Sequence, residues 1–151
     1  MVSKIEIISY VDNSETSQKV KSLLEEVSQQ SDKISISEVN NNEISNVKRK
    51  PSFELRRKLD NPVNGESTVS VSFAGLPLGH EFSSLVLALL QVSGYAPKIS
   101  DEQRDAILKL GSHNVTTYMS VICLNCPEVV QSLNTISVSY THLRAHETDS
   151  Y

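Results

Sequence analysis

The chain has 151 residues, enough for one ordinary domain or two very small ones. Its 18 acidic and 14 basic residues leave a formal charge of −4, and the basic residues that cluster (Lys48, Arg49, Lys50, Arg56, Arg57 and Lys58) are interrupted by apolar positions, which argues against a nucleic-acid partner. The N-terminus lacks the unbroken apolar core of a signal peptide, and the longest apolar run, Leu85 to Leu90, is far below the roughly 20 residues of a membrane span, so a cytoplasmic protein with no membrane-crossing segment is expected.

In chain order, residues 4 to 10 predict a strand rich in β-branched residues, and Asp12-Asn13-Ser14 supplies capping side chains for the helix that follows. Val20, Leu23, Leu24 and Val27 fall at i, i+3, i+4 and i+7 on one face of that helix. Ile34 and Ile36 alternate with serines in a second strand, which Asn40-Asn41-Asn42 ends. A third strand begins at Lys50-Pro51-Ser52-Phe53, and Val69, Val71 and Phe73 alternate with polar residues in a fourth. The stretch Asn61-Pro62-Val63-Asn64-Gly65 reads as the turn of a hairpin between these two strands. After the loop Gly75 to Gly79, Phe82, Leu85, Val86, Leu89 and Leu90 mark the apolar stripe of a second helix. Strand, helix, strand, strand, strand, helix is the order of an α/β thioredoxin-like unit, with a core expected to include Ile7, Val20, Leu23, Ile36, Phe53, Val71, Phe82, Leu85 and Leu89.

A second unit is expected from residue 98. Ser100-Asp101-Glu102-Gln103 is a capping box, Ala106, Ile107 and Leu110 give an apolar face, and Gly111 is a fitting stop. Residues 114 to 120 predict a strand, and Pro127 opens a helix that carries Val129, Val130 and Leu133. Laid over the first strand and helix, this pair matches Val130 with Val20, Ser132 with Ser22 and Leu133 with Leu23. The repeat puts Cys123 on Asn13 and Cys126 on Thr16, so the first unit reads as a copy without redox thiols.

The two cysteines form one Cys-x-x-Cys unit. A secreted disulfide scaffold would use more of them at wider spacing, and structural zinc would need two more ligands. In a reducing cytosol the pair reads as redox-active, with an inert buried pair as the alternative. His142 and His146 have the i, i+4 spacing of helical metal ligands but no further ligands, and no metal site is expected.

Two stretches carry a family resemblance: Phe73-Ala74-Gly75-Leu76-Pro77-Leu78-Gly79-His80-Glu81-Phe82 running into Ser84 to Leu90, and Cys123-Leu124-Asn125-Cys126-Pro127-Glu128-Val129-Val130-Gln131-Ser132-Leu133-Asn134. With Arg49-Lys50-Pro51-Ser52-Phe53 as a shorter third match, they resemble the N-terminal region of the flavoprotein F subunit of bacterial alkyl hydroperoxide reductase. The family usually has His where this chain has Leu124. The resemblance implies a tandem thioredoxin-like arrangement: residues 1–97 a complete unit without redox cysteines, 98–138 the truncated start of a second unit with the dithiol. Residues 139–151 have no family counterpart and read as a non-native tail.

The implied function is a protein-disulfide reductase domain. Electrons from an NADH-dependent flavin domain, absent here, would pass through this chain to the disulfide of the peroxiredoxin subunit. FAD and NADH belong to those missing domains, and no cofactor is expected on this chain, which has no Gly-x-Gly-x-x-Gly. A helix starting between the cysteines makes Cys123 the nucleophile at its positive end and Cys126 the resolving thiol. By resemblance, Glu81 in Gly-His-Glu-Phe exchanges a proton with the nucleophile; the plainer reading is an acid favoured by the helix dipole. A free-standing tandem glutaredoxin-like enzyme and a non-catalytic docking fragment are the competing functions.

Overall fold

The computed structural model describes residues 3–39, 51–63, 66–95, 98–111, 115–120 and 122–147, with side chains outside 58–63, 66–67 and 141–147. Asn40-Asn41-Asn42, Lys48-Arg49-Lys50, Asn64-Gly65 and the side chains of His142 and His146 lie outside that description.

Strand β1 (Ile5–Tyr10) leads into helix α1 (Glu15–Ser28) and returns as the parallel strand β2 (Ile34–Val39), with Ile5 opposite Ile34 and Ile7 opposite Ile36. Strand β3 (Ser52–Val63) runs antiparallel to β1 and to β4 (Glu66–Ala74), which gives one four-stranded sheet in the order β2-β1-β3-β4. A single 3-10 turn, Gly79–Glu81, enters helix α2 (Phe82–Val92), and helices α3 (Asp101–Lys109) and α4 (Cys126–Glu147) follow. The first six major elements thus have the expected thioredoxin-like α/β order.

Register explains the core. Ile7 faces Leu55, Leu55 faces Val71, and Phe53 faces Phe73, so the period-2 apolar positions of all strands share one side of the sheet. Phe53 and Phe73 stack with centroids 5.4 Å apart. Helices α1 and α2 cover that side with Val20, Leu24, Leu85, Ala88, Leu89 and Val92, all buried. Arg57, on the same side of β3, donates from Nε to the Val92 carbonyl at 2.6 Å and so closes the C-terminal end of α2 with a cation. The other side of the sheet is mainly polar apart from the buried Ile8, with Ser37 donating to Glu6 and Arg56 paired in a fork with Glu54. Those hydrogen bonds raise the Arg56 pKa above its ordinary value, against a smaller opposing effect of burial.

The local caps form as expected. Ser14 Oγ accepts from the Ser17 N–H at 3.2 Å, while Asp12 Oδ1 accepts from the Ser14 N–H and the Ser17 hydroxyl, which closes the N-terminus of α1. Replacing Ser14 with alanine is expected to cost about 1 kcal/mol in urea melts. Ser100 and Gln103 form the predicted reciprocal box at α3, and Gly111 takes a positive φ of 73° just past its end.

Several expectations need correction. Asn61, Pro62 and Val63, expected in the hairpin turn, belong to β3, with an irregularity of register between Lys58 and Val63 of the kind that lets a strand hold a proline. Phe82, expected in the core, is 43% exposed. The buried stripe of α2 is instead Ser84, Leu85, Ala88, Leu89, Gln91 and Val92, because α4 packs along that face as well as the sheet. Leu23 and Ile36 are only partly buried against the core. On α3 only Ile107 is buried; Ala106 and Leu110 are exposed.

The strand predicted over 114 to 120 does not form in its described part: residues 115–120 carry no regular secondary structure. A strand exists only against a partner, and all four strands of the sheet come from residues before 75. The helix after it does form. Its Val130 and Val138 join the core already built by the sheet, α1 and α2, and Met119 packs against it.

Candidate functional site

Cys123 and Cys126 are joined in a disulfide, with their Cα atoms 5.5 Å apart. Helix α4 begins at Cys126, so Cys123 lies in the loop just before the helix, where its N–H donates to the Ser120 carbonyl at 3.0 Å. The sequence supports a helix start there. Pro127 has no N–H to lose in a first turn where none is needed, and Glu128 meets the positive end of the dipole. Both cysteines are half-buried, while Tyr118, Ile122 and Leu124 around them are 78%, 81% and 77% exposed.

Glu81 ends the 3-10 turn before α2. Its side chain is fully buried, and neither carboxylate oxygen has a hydrogen-bond partner among the described residues. A buried carboxyl without a partner is costly, and one that persists calls for a chemical reason. His80 beside it is exposed.

Helix α4 packs against this turn, against α2 and against β4. Its direction follows from hydrogen bonds. Gln131 Nε2 donates to the hydroxyls of Ser83 and Ser84 at 3.2 and 3.3 Å, and Gln91 Nε2 donates to Thr135 Oγ1 at 2.8 Å. Rising numbers on α4 therefore meet rising numbers on α2, and the two helices run parallel with their N-termini at one end. That arrangement brings the turn bearing Glu81 to the end where the dithiol sits. The three residues singled out in the sequence are thus gathered at one end of the molecule.

The polar ladder between the helices was not anticipated. Its signal is present in the sequence as Ser84 and Gln91 at i, i+7 on α2 and Gln131 and Thr135 at i, i+4 on α4, but neither helix alone shows that these positions face each other. A surface groove of about 400 Å³ between α1 and the 76–78 loop, lined by Glu15, Lys19, Leu23, Leu76 and Leu78 among others, contains none of the three site residues. The chemistry argues for the dithiol end, because the groove holds neither thiol. Among the described residues, no helix is long and apolar enough to cross a membrane.

No protein-family model matches the chain. Against individual proteins it is 45% identical over 139 residues to the F subunit of alkyl hydroperoxide reductase from Staphylococcus aureus strain Mu50, covering 91% of this chain and 25% of that protein. It is likewise 45% identical over 125 residues to a Bacillus subtilis protein named NADH dehydrogenase, covering 82% of this chain and 22% of that one. The chain therefore spans about a quarter of the length of the curated relatives it matches. Among solved structures, a variant of the Enterococcus faecalis alkyl hydroperoxide reductase F subunit superposes with a TM-score of 0.78 at 26% identity, over 94% of this chain and 69% of the other. The separately solved N-terminal domain of that same protein gives a TM-score of 0.74 at 24% identity, which speaks for the fold alone. In sequence and in fold, the chain belongs with the N-terminal, thioredoxin-like region of the alkyl hydroperoxide reductase F subunits.

Proposed function

We propose that this chain is a thiol-disulfide relay of alkyl hydroperoxide reductase, acting in the cytosol, which takes electrons from the dithiol of an NADH-dependent flavin domain and delivers them to the disulfide of the peroxiredoxin subunit. The observation that carries the proposal is the Cys123–Cys126 disulfide at the N-terminus of α4, with the buried Glu81, its carboxylate without a hydrogen-bond partner among the described residues, at the same end. The flavin and nicotinamide chemistry is assigned to other parts of the system, since the five glycines of this chain nowhere have the Gly-x-Gly-x-x-Gly spacing of a dinucleotide site.

In the reduced chain both cysteines are thiols. Glu81 accepts the Cys123 proton, and the positive end of α4 favours the thiolate that remains. That thiolate attacks one sulfur of the peroxiredoxin disulfide; the partner's S–S bond breaks, a mixed disulfide forms, and the displaced sulfur leaves as a thiolate that takes up a proton. Cys126 then attacks the Cys123 sulfur and releases the second partner sulfur, and the Cys123–Cys126 disulfide closes. Two electrons leave the chain, and the flavin-domain dithiol restores them by the same exchange in reverse.

The test is direct transfer. The chain, reduced and freed of reductant, is mixed with the oxidised peroxiredoxin subunit, and thiols on each are counted by mass spectrometry after rapid alkylation. The expected result is loss of both thiols here as two appear there, with Glu81→Gln slowing the exchange roughly 100-fold at neutral pH. A folded, reduced chain that transfers nothing would overturn the relay in favour of a docking role.

A further inference from the structure

We propose that Gln131 is a positioning residue of the dithiol site, holding the turn that carries Glu81 in register with the helix that carries the cysteines. The inference rests on the proton-exchange reading of Glu81 and goes beyond it by naming what fixes the geometry.

Neither carboxylate oxygen of Glu81 has a hydrogen-bond partner among the described residues, so the carboxylate is directed by the backbone on which it sits, whose N–H donates to the Leu78 carbonyl at 3.2 Å. That backbone is tied to α4 through Gln131. The Gln131 Nε2 donates to Ser83 Oγ, and the Ser83 hydroxyl donates onward at 3.2 Å to the carbonyl of His80, the residue next to Glu81. The second hydrogen of the same amide is used on Ser84, whose side chain is fully buried. From the other side, Thr135 accepts from the buried Gln91 and donates at 2.8 Å to the main-chain carbonyl of Gln131. These hydrogen-bonded links between α2 and α4 therefore converge on Gln131.

Such a link does what the apolar contacts cannot. Val130, Val138, Leu85 and Ala88 pack in the shared core, but apolar packing is nearly non-directional along a pair of parallel helices. Hydrogen bonds are directional, and this ladder, part-buried at its Ser84 and Thr135 bonds and exposed at its Ser83 bond, forms in one register only. Gln131 stands five residues past the start of α4, about 7 to 8 Å along the axis, and Glu81 two and three residues before its serine partners. A slip between the helices would therefore move Glu81 relative to the dithiol directly.

The experiment follows alkylation of Cys123 in the reduced chain by iodoacetamide across pH, with peptide mass spectrometry, in parallel with thermal melts. Among the described side chains, the other titratable groups on the packed elements are His80 and Glu128 at this end, Tyr140 further along α4, the charged side chains of α3, all exposed, and Arg57, which is engaged at the far end of α2. In the wild-type chain Cys123 is expected to be labelled faster at neutral pH than in Glu81→Gln. Gln131→Ala, and separately the paired Ser83→Ala and Ser84→Ala change, should move the profile toward that of Glu81→Gln and slow labelling at neutral pH about 10-fold, within the ~100-fold that a misplacement of 1 Å can cost. Adding Gln131→Ala to Glu81→Gln should then slow labelling no further. If Gln131→Ala lowers the melting temperature while the profile stays wild-type, Gln131 is merely structural and the inference is overturned. Should Gln131→Ala fail to fold, the nearly isosteric serine pair decides in its place. If Glu81→Gln itself leaves the profile unchanged, it is the proton-exchange reading that has failed, and the positioning role falls with it.

Discussion

Cys126→Ser is expected to convert the chain from a relay into a trap: it attacks a partner disulfide once and remains covalently attached. The expectation follows from where α4 starts. Cys123 lies in the loop before the helix, outside the first turn, whereas Cys126 is the first helical residue and is held by the turn it opens. The thiolate that initiates exchange is the one that can approach a partner from the loop, with exposed Ile122 and Leu124 beside it, while the helical thiol is placed to strike back at Cys123. Removing the second thiol leaves the mixed disulfide with no internal route to resolution. Non-reducing gels should show a stable adduct with the oxidised peroxiredoxin subunit, and mass spectrometry should place its bond on Cys123. Cys123→Ser should give neither adduct nor transfer. An adduct forming through Cys126 in that second variant would exchange the two roles.

Leu85→Ala should destabilise the chain by about 2 to 5 kcal/mol, the usual range for a leucine cavity in a closed core. Leu85 is fully buried in the cluster that joins the sheet, α1, α2 and α4, so truncation leaves a hole inside that shared core. Phe82, three residues earlier on the same helix and a larger apolar side chain, provides the contrast. It is 43% exposed, and Phe82→Ala should cost about 1 kcal/mol or less, because much of its area is in water in either state. Urea melts of the two variants check the pair. A larger loss at Phe82 than at Leu85 would mean that α2 is rotated in solution, with Phe82 turned inward and Leu85 turned out.

What the sequence by itself determined is local in origin. The Asp12, Ser14 and Ser17 cap, the Ser100 and Gln103 box, the stop at Gly111 and the helix opening beside Pro127 are each decided within a few residues, because a cap or a turn satisfies backbone groups within reach of a short side chain. The alternation of Val69, Val71 and Phe73 likewise assigned one face of β4 to the core, since period 2 is a property of the strand itself. The dithiol and the turn carrying Glu81 were legible as residues in a pattern. Tertiary structure alone decided which side of α2 is inside. The stripe of apolar residues points to Phe82 and Val86, yet the buried side includes Ser84 and Gln91, because α4 brings Gln131 to the Ser84 hydroxyl and Thr135 to the Gln91 amide nitrogen and so pairs two polar groups that burial would otherwise penalise. It also decided that residues 115–120 stay irregular, since a strand is stabilised by a neighbour that its own sequence does not contain. The meeting of Glu81 with the dithiol end belongs to the same class. Some forty residues separate them along the chain, and only the parallel docking of two helices, locked by hydrogen bonds neither could make alone, puts them together.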